Sequence, residues 1–596
     1  MTTPDRKTPD LKTPDLKTPD LKTTAEHLVY LLAAHGVEYL FLNPGTDSAP
    51  VQEAVYALED AGVPTPAVLM STFESVSLAA AHAYWKLTGR PQAIFVHVDA
   101  GTQNLGAMVH NVMRDKAGVI VIAGKTPYGE EAGLSGGRSS PIHWQQDVPD
   151  QPGIVRGYAK WIQEITRPEM LDRAIGRAVQ VAASAPAGMS YLTVSRDVLM
   201  DPPRLDQSRV SGYPVPVLPA ADPAAVASIA AALAAAEAPV LVTSRAGRTA
   251  EGFAAVEELA DLAGLRVLRG LEGGPVSLSS RHPMSVRDPA EASAAISAAD
   301  VILIVESDVP WLPARVSLRP EARVFHVDPD PAKSTMPLWA FPVDVAVQAD
   351  GAAALTALTA ELGRHVDAEP AVARRLAERV QRLRAGAADA KPGRPGPPAT
   401  DPPAPATGPV TPSAVMAALN VTISADDIVI EEAVTNSVVV YQALERTRPG
   451  TLIGDPAPGL GWSLGGALGV KLARPDRRVI TIVGDGAFLF GVPTSALMMS
   501  AEWGTPFLAV ILNNSGYRAS RLPVYGLFPD GVSVRRKEAA GTRFTRAPDY
   551  PALAAACHAL GERVERAEDL VPALRRALAA VDGGTTAIVE CVIDQE

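Results

Sequence analysis

Val479-Ile-Thr-Ile-Val-Gly-Asp-Gly-Ala487 decides the reading of this chain, together with its echo, Leu512-Asn-Asn-Ser-Gly-Tyr517. Val479 to Val483 is a short apolar, β-branched run, the pattern of a parallel strand buried on both faces. Gly484-Asp485-Gly486 ends it in a turn where the backbone can approach a ligand closely. An apolar helical pattern follows over Thr494 to Trp503, then a second buried strand, Phe507 to Leu512, which ends in Asn513-Asn514. Two neighbouring strands therefore bring oxygen ligands to one sheet edge, the edge where open α/β sheets bind. One carboxylate (Asp485), one amide oxygen (Asn514) and one backbone carbonyl (Gly516) suit a hard cation and leave about half of an octahedral shell open. The same residues also read as two ordinary Gly-rich turns without a ligand.

The interval bears on that choice. Twenty-six residues separate Gly486 from Asn513, and a Gly-Asp-Gly followed at that interval by Asn-Asn resembles the motif of the thiamine-diphosphate-dependent enzymes. The resemblance implies Mg²⁺ on Asp485, Asn514 and the Gly516 carbonyl, anchoring the cofactor diphosphate, with Gly484, Gly486 and Ala487 in the cofactor-binding turn.

Length and composition set the frame. A chain of 596 residues, 47% hydrophobic with mean hydropathy +0.09, is too long for one core and has apolar content for about three. Its net charge of −12 argues against nucleic acid as the main partner. With only Cys557 and Cys591, no disulfide framework is implied and a reducing cytoplasm fits. No signal peptide and no run of 18 apolar residues is present, so no membrane span is expected. Residues 1–23 carry three copies of Thr-Pro-Asp-Leu-Lys. Proline every five residues rules out a regular helix, and a solvated, disordered tail is expected.

The fold expected is α/β: three doubly wound parallel-sheet domains, at residues 24–205, 218–362 and 411–596, with a helix and a Pro-rich linker over 363–410. In the first, strands at Tyr39–Leu42, Ala67–Met70, Gln92–Val98 and 118–123 alternate with helices. Ser71-Thr-Phe-Glu74 opens a small-residue helix, and on spacing alone it is a capping box. The order of Asn43-Pro-Gly-Thr46, Glu74, Thr88-Gly-Arg-Pro91 and Ala100-Gly-Thr-Gln-Asn104 resembles the pyrimidine-binding domain of the benzoylformate decarboxylase and acetolactate synthase branch. That resemblance makes Glu74 the carboxylate that hydrogen-bonds N1′ of the thiamine ring. It makes His97, three residues before Ala100-Gly-Thr, a proton-transfer candidate, with Thr46 supplying a hydroxyl beside it. Asp99 departs from the small residue expected there and weakens an acetolactate synthase assignment. His143-Trp-Gln-Gln-Asp147 matches a loop whose histidine or glutamine can face substrate.

The middle domain has no Gly-x-Gly-x-x-Gly after a strand, so a nucleotide lacks its usual phosphate cradle; the expectation is that it holds no FAD. Asp308-Val-Pro-Trp-Leu-Pro313 is a rigid turn whose Trp311 packs or reaches the site. In the third domain, Thr435 and Asn436 precede a helix; they read as a simple cap or as a diphosphate contact. In the family, the residue at Leu460 wedges under the cofactor, and the Pro458 carbonyl accepts from its amine. Arg518 and Arg521 could hold a substrate carboxylate or be a solvated basic face.

The resemblance thus implies a lyase or carboligase acting on a 2-oxo acid, forming an enamine that is protonated to an aldehyde or attacks an aldehyde or ketone acceptor to give an acyloin. Glu74 and Asp485 fall on separate domains that in the family meet across a subunit interface, so a homodimer or homotetramer is expected. The rival readings are an acetolactate-synthase-like carboligase (a transferase) and a cofactor-binding homologue without lyase activity.

Overall fold

The structure is a computed structural model and describes residues 19–204, 213–388, 407–455 and 459–593. Three six-stranded sheets carry the fold, and every strand pair in them is parallel. The first contains β1 (Tyr39–Leu42), β2 (Ala67–Met70), β3 (Gln92–Val96), β4 (Val119–Lys125), β5 (Trp161–Ile165) and β6 (Met189–Ser195), in the order β2-β1-β3-β4-β6-β5. The second contains β7 (Pro239–Thr243), β8 (Arg266–Arg269), β9 (Ser285–Val286), β10 (Val301–Val305), β11 (Arg323–Asp328) and β12 (Val345–Gln348), in the order β12-β11-β10-β7-β8-β9. The third contains β13 (Ile428–Glu432), β14 (Leu452–Gly454), β15 (Val479–Gly484), β16 (Leu508–Asn513), β17 (Leu560–Val564) and β18 (Ala587–Val592), in the order β14-β13-β15-β16-β18-β17. Helices in the crossovers cover both faces, which is why the central strands read as unbroken apolar runs: Val479–Val483 and Leu508–Leu512 are buried throughout.

All three orders share one consequence. The chain leaves its first strand outward to one edge and then returns to build the other, so a crevice opens between β1 and β3, between β7 and β10, and between β13 and β15. Loops leaving the carboxyl ends of those pairs are where an α/β sheet can bind a ligand.

The chain divides into two compact units. One holds the first sheet; the other holds the second and third sheets with residues 82–88 and 114–116. In the second sheet the crevice is filled by the chain's own charges. Arg245 makes a bidentate pair with Asp308, at 3.0 Å through each nitrogen, and buried Lys333 reaches Asp308 at 2.6 Å and Asp328 at 2.5 Å. These cations hold the Asp308 carboxyl well below the usual carboxylate range against the opposing effect of burial.

Several boundaries differ from the sequence reading. Residues 1–18 of the repeat tail lie outside the described residues, but the last copy is folded: Leu21 is buried in the first core, and the Lys22 backbone N–H donates to Glu26. The apolar residue of this last copy finds a core. Thr23 caps the helix Thr24–Ala34. The linker region is helical over Gly351–Ala368 and Pro370–Ala388. Its Pro-rich part, residues 389–406, lies outside the described residues. Gly408 to Val410 is already built into the third domain, with Val410 bridging Ile593, and Pro412 opens a helix behind the cap Thr411. After Tyr517 the chain forms the helix Arg518–Leu527, with Pro523 inside it. Among the described residues no helix is long and apolar enough to cross a membrane.

Candidate active site

The first half of the candidate site lies at the β1–β3 crevice. The turn Asn43-Pro-Gly-Thr-Asp47 leaves β1, and His97 leaves β3 just before the helix Val98–Asn104. Strand β3 stops at Val96, two residues earlier than the apolar run suggests, because Val98 adopts φ +36° to turn into that helix. His97 Nδ1 lies 2.5 Å from Asp47 Oδ1, and the other Asp47 oxygen accepts from the Val98 backbone N–H at 3.2 Å. This carboxylate, 3% exposed, pushes the His97 pKa up against the effect of partial burial. His97 Nε2 faces Gln146 Oε1 at 3.2 Å.

Two glycines make the approach feasible. A Cβ on Gly45 would lie 2.1 Å from His97 Nδ1, and one on Gly124 would lie 1.4 Å from Asp47 Oδ2. Thr46, expected beside His97, is exposed, and its carbonyl accepts from Arg196. The contact to His97 comes instead from Asp47, the next residue, which the sequence reading did not single out. Of the loop His143 to Asp147, Gln146 faces His97, while His143 turns inward: its Nδ1 accepts from the Ser139 backbone N–H at 3.1 Å, and burial pushes its pKa down.

Glu74 stands at the first position of the helix Glu74–Thr88 and is 4% exposed. Ser71, its capping-box partner on spacing, instead accepts from the Ser77 hydroxyl at 2.7 Å. Burial pushes the Glu74 carboxyl up, partly offset by the Asn104 side chain and by nearby His97. A Cβ on Gly101 would sit 3.0 Å from Glu74 Oε1, so the Ala-Gly-Thr turn leaves the carboxylate its space.

A separate set of candidate residues lies at the β13–β15 crevice of the other unit. The register sets Glu432 beside Val483 and Gly484 beside Leu512, so the turns after β13, β15 and β16 emerge together. Asp485 is 2% exposed; its Oδ2 accepts from the Gly516 backbone N–H at 2.9 Å. Burial dominates and pushes its carboxyl up to about 6, with only backbone N–H groups opposing. Asn513 is spent on structure: its amide donates to Glu590 at 2.7 Å and accepts from the Ser515 N–H at 2.9 Å. Asn514 is buried beside it and remains the side-chain ligand candidate. Gly516 has φ +154°, and a Cβ there would strike the Thr542 carbonyl at 2.2 Å; its own carbonyl accepts from the Arg518 N–H. Gly486 is required too, since a Cβ would meet the Tyr517 ring at 2.6 Å. Ala487 is buried and Gly484 ends β15.

The donor set fits a hard divalent cation. A buried carboxylate with no cationic partner among the described residues, an amide oxygen and backbone carbonyls are oxygen ligands of the kind Mg²⁺ takes. No group of three or more His, Cys, Asp or Glu gathers among the described residues, so the site suits neither zinc nor a cluster.

Thr435 and Asn436 lie in a 3₁₀ turn after β13, with Asn436 buried and Val434 at φ +54°. Leu460 is half-buried directly before Gly461, and Pro458 lies outside the described residues. Glu432, unnoticed in sequence, holds this turn: its carboxylate accepts from the backbone N–H groups of Gly461, Trp462 and Ser463 at 2.7, 3.1 and 2.9 Å. A carboxylate at a helix start satisfies N–H groups that lack partners within the helix. The only sequence signal was a Glu-Glu pair closing a buried strand. Arg518 and Arg521 lie at the start of the exposed helix Arg518–Leu527. Trp311 is buried and packs edge-on against Phe341 at 5.3 Å, although it also lines a cavity of about 660 Å³ at the ends of β7 and β8.

Comparison with known proteins agrees with this geometry. Residues 22–154, 226–358 and 433–591 match the N-terminal TPP binding domain, the central domain and the C-terminal TPP binding domain of the thiamine pyrophosphate enzymes. The chain is 26% identical to benzoylformate decarboxylase of Pseudomonas aeruginosa over 517 residues, covering 82% of this chain and 86% of that one. It is 25% identical to an acetolactate synthase of Mycobacterium bovis over 571 residues, covering 94% and 86%. In fold it matches the thiamine diphosphate-dependent 4-hydroxybenzoylformate decarboxylase of Rhodococcus jostii, with TM-score 0.77 at 22% identity, over 96% of this chain and 99% of that one. The chain belongs to the thiamine pyrophosphate enzymes, on the branch that holds benzoylformate decarboxylase and acetolactate synthase.

Proposed function

We propose that the protein decarboxylates a 2-oxo acid with thiamine diphosphate and Mg²⁺, releasing carbon dioxide and an aldehyde. The observation that carries this reading is Glu74: a buried carboxyl that burial pushes up, close to a histidine whose pKa the Asp47 carboxylate raises. Such a carboxyl can share a proton with a ring nitrogen rather than simply carry charge. When bound, the cofactor supplies the electron sink for breaking the carboxyl bond. Asp485, Asn514 and the Gly516 carbonyl would hold the cation, and Thr435 and Asn436 the diphosphate. Leu460 would support the cofactor from beneath. Glu74 would hold the proton at N1′ of the pyrimidine, and His97 would deliver one to the substrate carbon, with Thr46 on the turn that carries Asp47.

The reading pairs two copies of the chain, so that Glu74 of one copy serves the cation site of the other. It is supported by the apolar residues left exposed near the Asp485 half: Phe490, Leu522, Leu527 and Phe528 are each about half exposed or more. Phe490 stands edge-on to Tyr517 at 6.2 Å, and Leu522 and Leu527 ride on the helix that follows it.

The test is a panel of aromatic and aliphatic 2-oxo acids with both cofactors, scored for carbon dioxide. Release from one acid, lost in Glu74→Ala and in Asp485→Ala, names the substrate. Cofactor binding with no release from any acid refutes the reading. The relationship to acetolactate synthases supports a second outcome, in which an acyloin is the main product; product analysis with acceptor aldehydes separates the two.

A further inference from the structure

We infer that Asp47 and Gln146 are positioning residues that hold His97 as a loaded proton donor, so that the carbon freed of its carboxylate is protonated rather than joined to a second carbonyl. The inference rests on the decarboxylase reading above and adds to it what decides the product.

Both ring nitrogens of His97 face acceptors: a carboxylate oxygen at Nδ1 and an amide oxygen at Nε2. With the Gln146 amide turned as it is, a neutral imidazole has one N–H and satisfies only one of them, while the imidazolium satisfies both. Asp47 cannot swing away. It is 3% exposed, its second oxygen is tied to the Val98 N–H, and Gly45 and Gly124 leave it just enough room. The His97 side chain, by contrast, is 22% exposed, so it reaches the crevice while its partner stays buried. The charged groups around it act in the same direction or weakly: Asp99 follows on the helix after it and favours the charged ring, Glu74 interacts from the start of the helix Glu74–Thr88 that precedes β3, and His143 lies nearby with its own pKa lowered. Gln146 suits a donor that must be emptied and refilled. Its carbonyl faces the protonated Nε2, and a half-turn of its amide would present N–H to the same nitrogen once the proton has gone.

The step balances. The electron pair left by departing carbon dioxide would take the proton from His97 Nε2 and form the new C–H bond; the hydroxyl on that carbon would then give its proton to water as the bond to the cofactor breaks and the aldehyde leaves, and solvent would return a proton to Nε2. Whether an acceptor carbonyl can intercept that carbon depends on how quickly the proton arrives, and a ring held charged and aimed by Asp47 keeps it available.

The experiment uses the full chain with thiamine diphosphate and Mg²⁺. Histidine labelled with ¹³C is titrated by NMR, and the His97 signal is identified by its loss in His97→Gln. Wild type should titrate above the ordinary histidine value, and Asp47→Asn, which keeps size and the Val98 contact, should lower the midpoint by about one pH unit or more. With benzoylformate as probe acid and benzaldehyde as acceptor, the aldehyde-to-acyloin ratio should fall about tenfold in Asp47→Asn, with a smaller fall in Gln146→Ala. The alkaline limb of the rate should move to lower pH in Asp47→Asn. A purely structural role would leave midpoint and product ratio unmoved, and that result overturns the inference even if activity drops. If wild type releases no carbon dioxide from any acid of the panel, the decarboxylase reading fails, and with it the claim on product choice; the titration alone then decides whether Asp47 sets the His97 charge.

Discussion

Asp485 offers a prediction whose sign runs against intuition. A buried carboxyl whose pKa lies at about 6 instead of 3.8 keeps its proton in the folded chain long after the unfolded chain has lost it. Between those values the native state binds more protons than the unfolded one, so this group lowers stability as pH rises. A shift of that size corresponds to about 3 kcal/mol, present as a loss at neutral pH and absent below about pH 4. The metal-free protein should therefore be destabilised by the carboxylate proposed to hold its cation. Urea unfolding of the chelator-treated protein, followed across this pH range beside Asp485→Asn, isolates the effect, because the difference between the two profiles cancels every other titrating group. Wild type should lose about 3 kcal/mol relative to the variant between about pH 4 and 7. Mg²⁺ should reverse the trend, since the cation favours the ionised form. Its affinity should weaken about tenfold for each pH unit below about 6, as protons compete for the carboxylate. A flat difference profile, or a wild type that gains on the variant as pH rises, would refute the reasoning: it would mean that protein groups already compensate the charge and that the site does not call for a cation.

Three further outcomes can be measured directly. In Gly45→Ala the new methyl would lie 2.1 Å from His97 Nδ1, so the ring must retreat by more than ~1 Å to reach ordinary contact; kcat should fall about 100-fold with a nearly unchanged melting temperature, and a kcat within threefold of wild type would refute it. In Glu74→Gln carbon dioxide release should fall by about 10²- to 10⁴-fold while circular dichroism and Mg²⁺ affinity stay as in wild type; retained release would exclude Glu74 as the proton partner of the cofactor. Arg379 is buried and donates to the carbonyls of Leu233, Ala236 and Ala263. Arg379→Ala strands those three acceptors and should destabilise the middle domain by about 3 kcal/mol, read as a lower urea midpoint; an unchanged midpoint would show that water replaces the guanidinium without cost.

Much of the fold was legible because parallel strands buried on both faces must be apolar throughout. Val479–Val483 and Val301–Val305 are such runs, and both are strands. Ends were harder to read. The strand read over Gln92 to Val98 stops at Val96: the chain turns at Val98, whose backbone angle breaks the strand although the residue itself is a good strand former. The helix Arg518–Leu527 was hidden by Pro523 and Gly526, residues that usually mark loops.

The sequence by itself determined the class of fold and marked the turns after β15 and β16 and the candidate positions Glu74, His97, Asp485 and Asn514, because each depends on a short local pattern. Tertiary structure alone decided which side chains act on them. Asp47 stands fifty positions from His97 and Glu432 about thirty from the turn it holds; nothing local marks either one. Strand order brings them together, placing β1 against β3 and β13 against β15 so that loops distant in sequence leave the sheet side by side. Parallel pairing is non-local by construction, since each strand reaches its neighbour only after a crossover. The partners of a catalytic group on such a sheet are therefore chosen by topology, while the group itself is written in the motif.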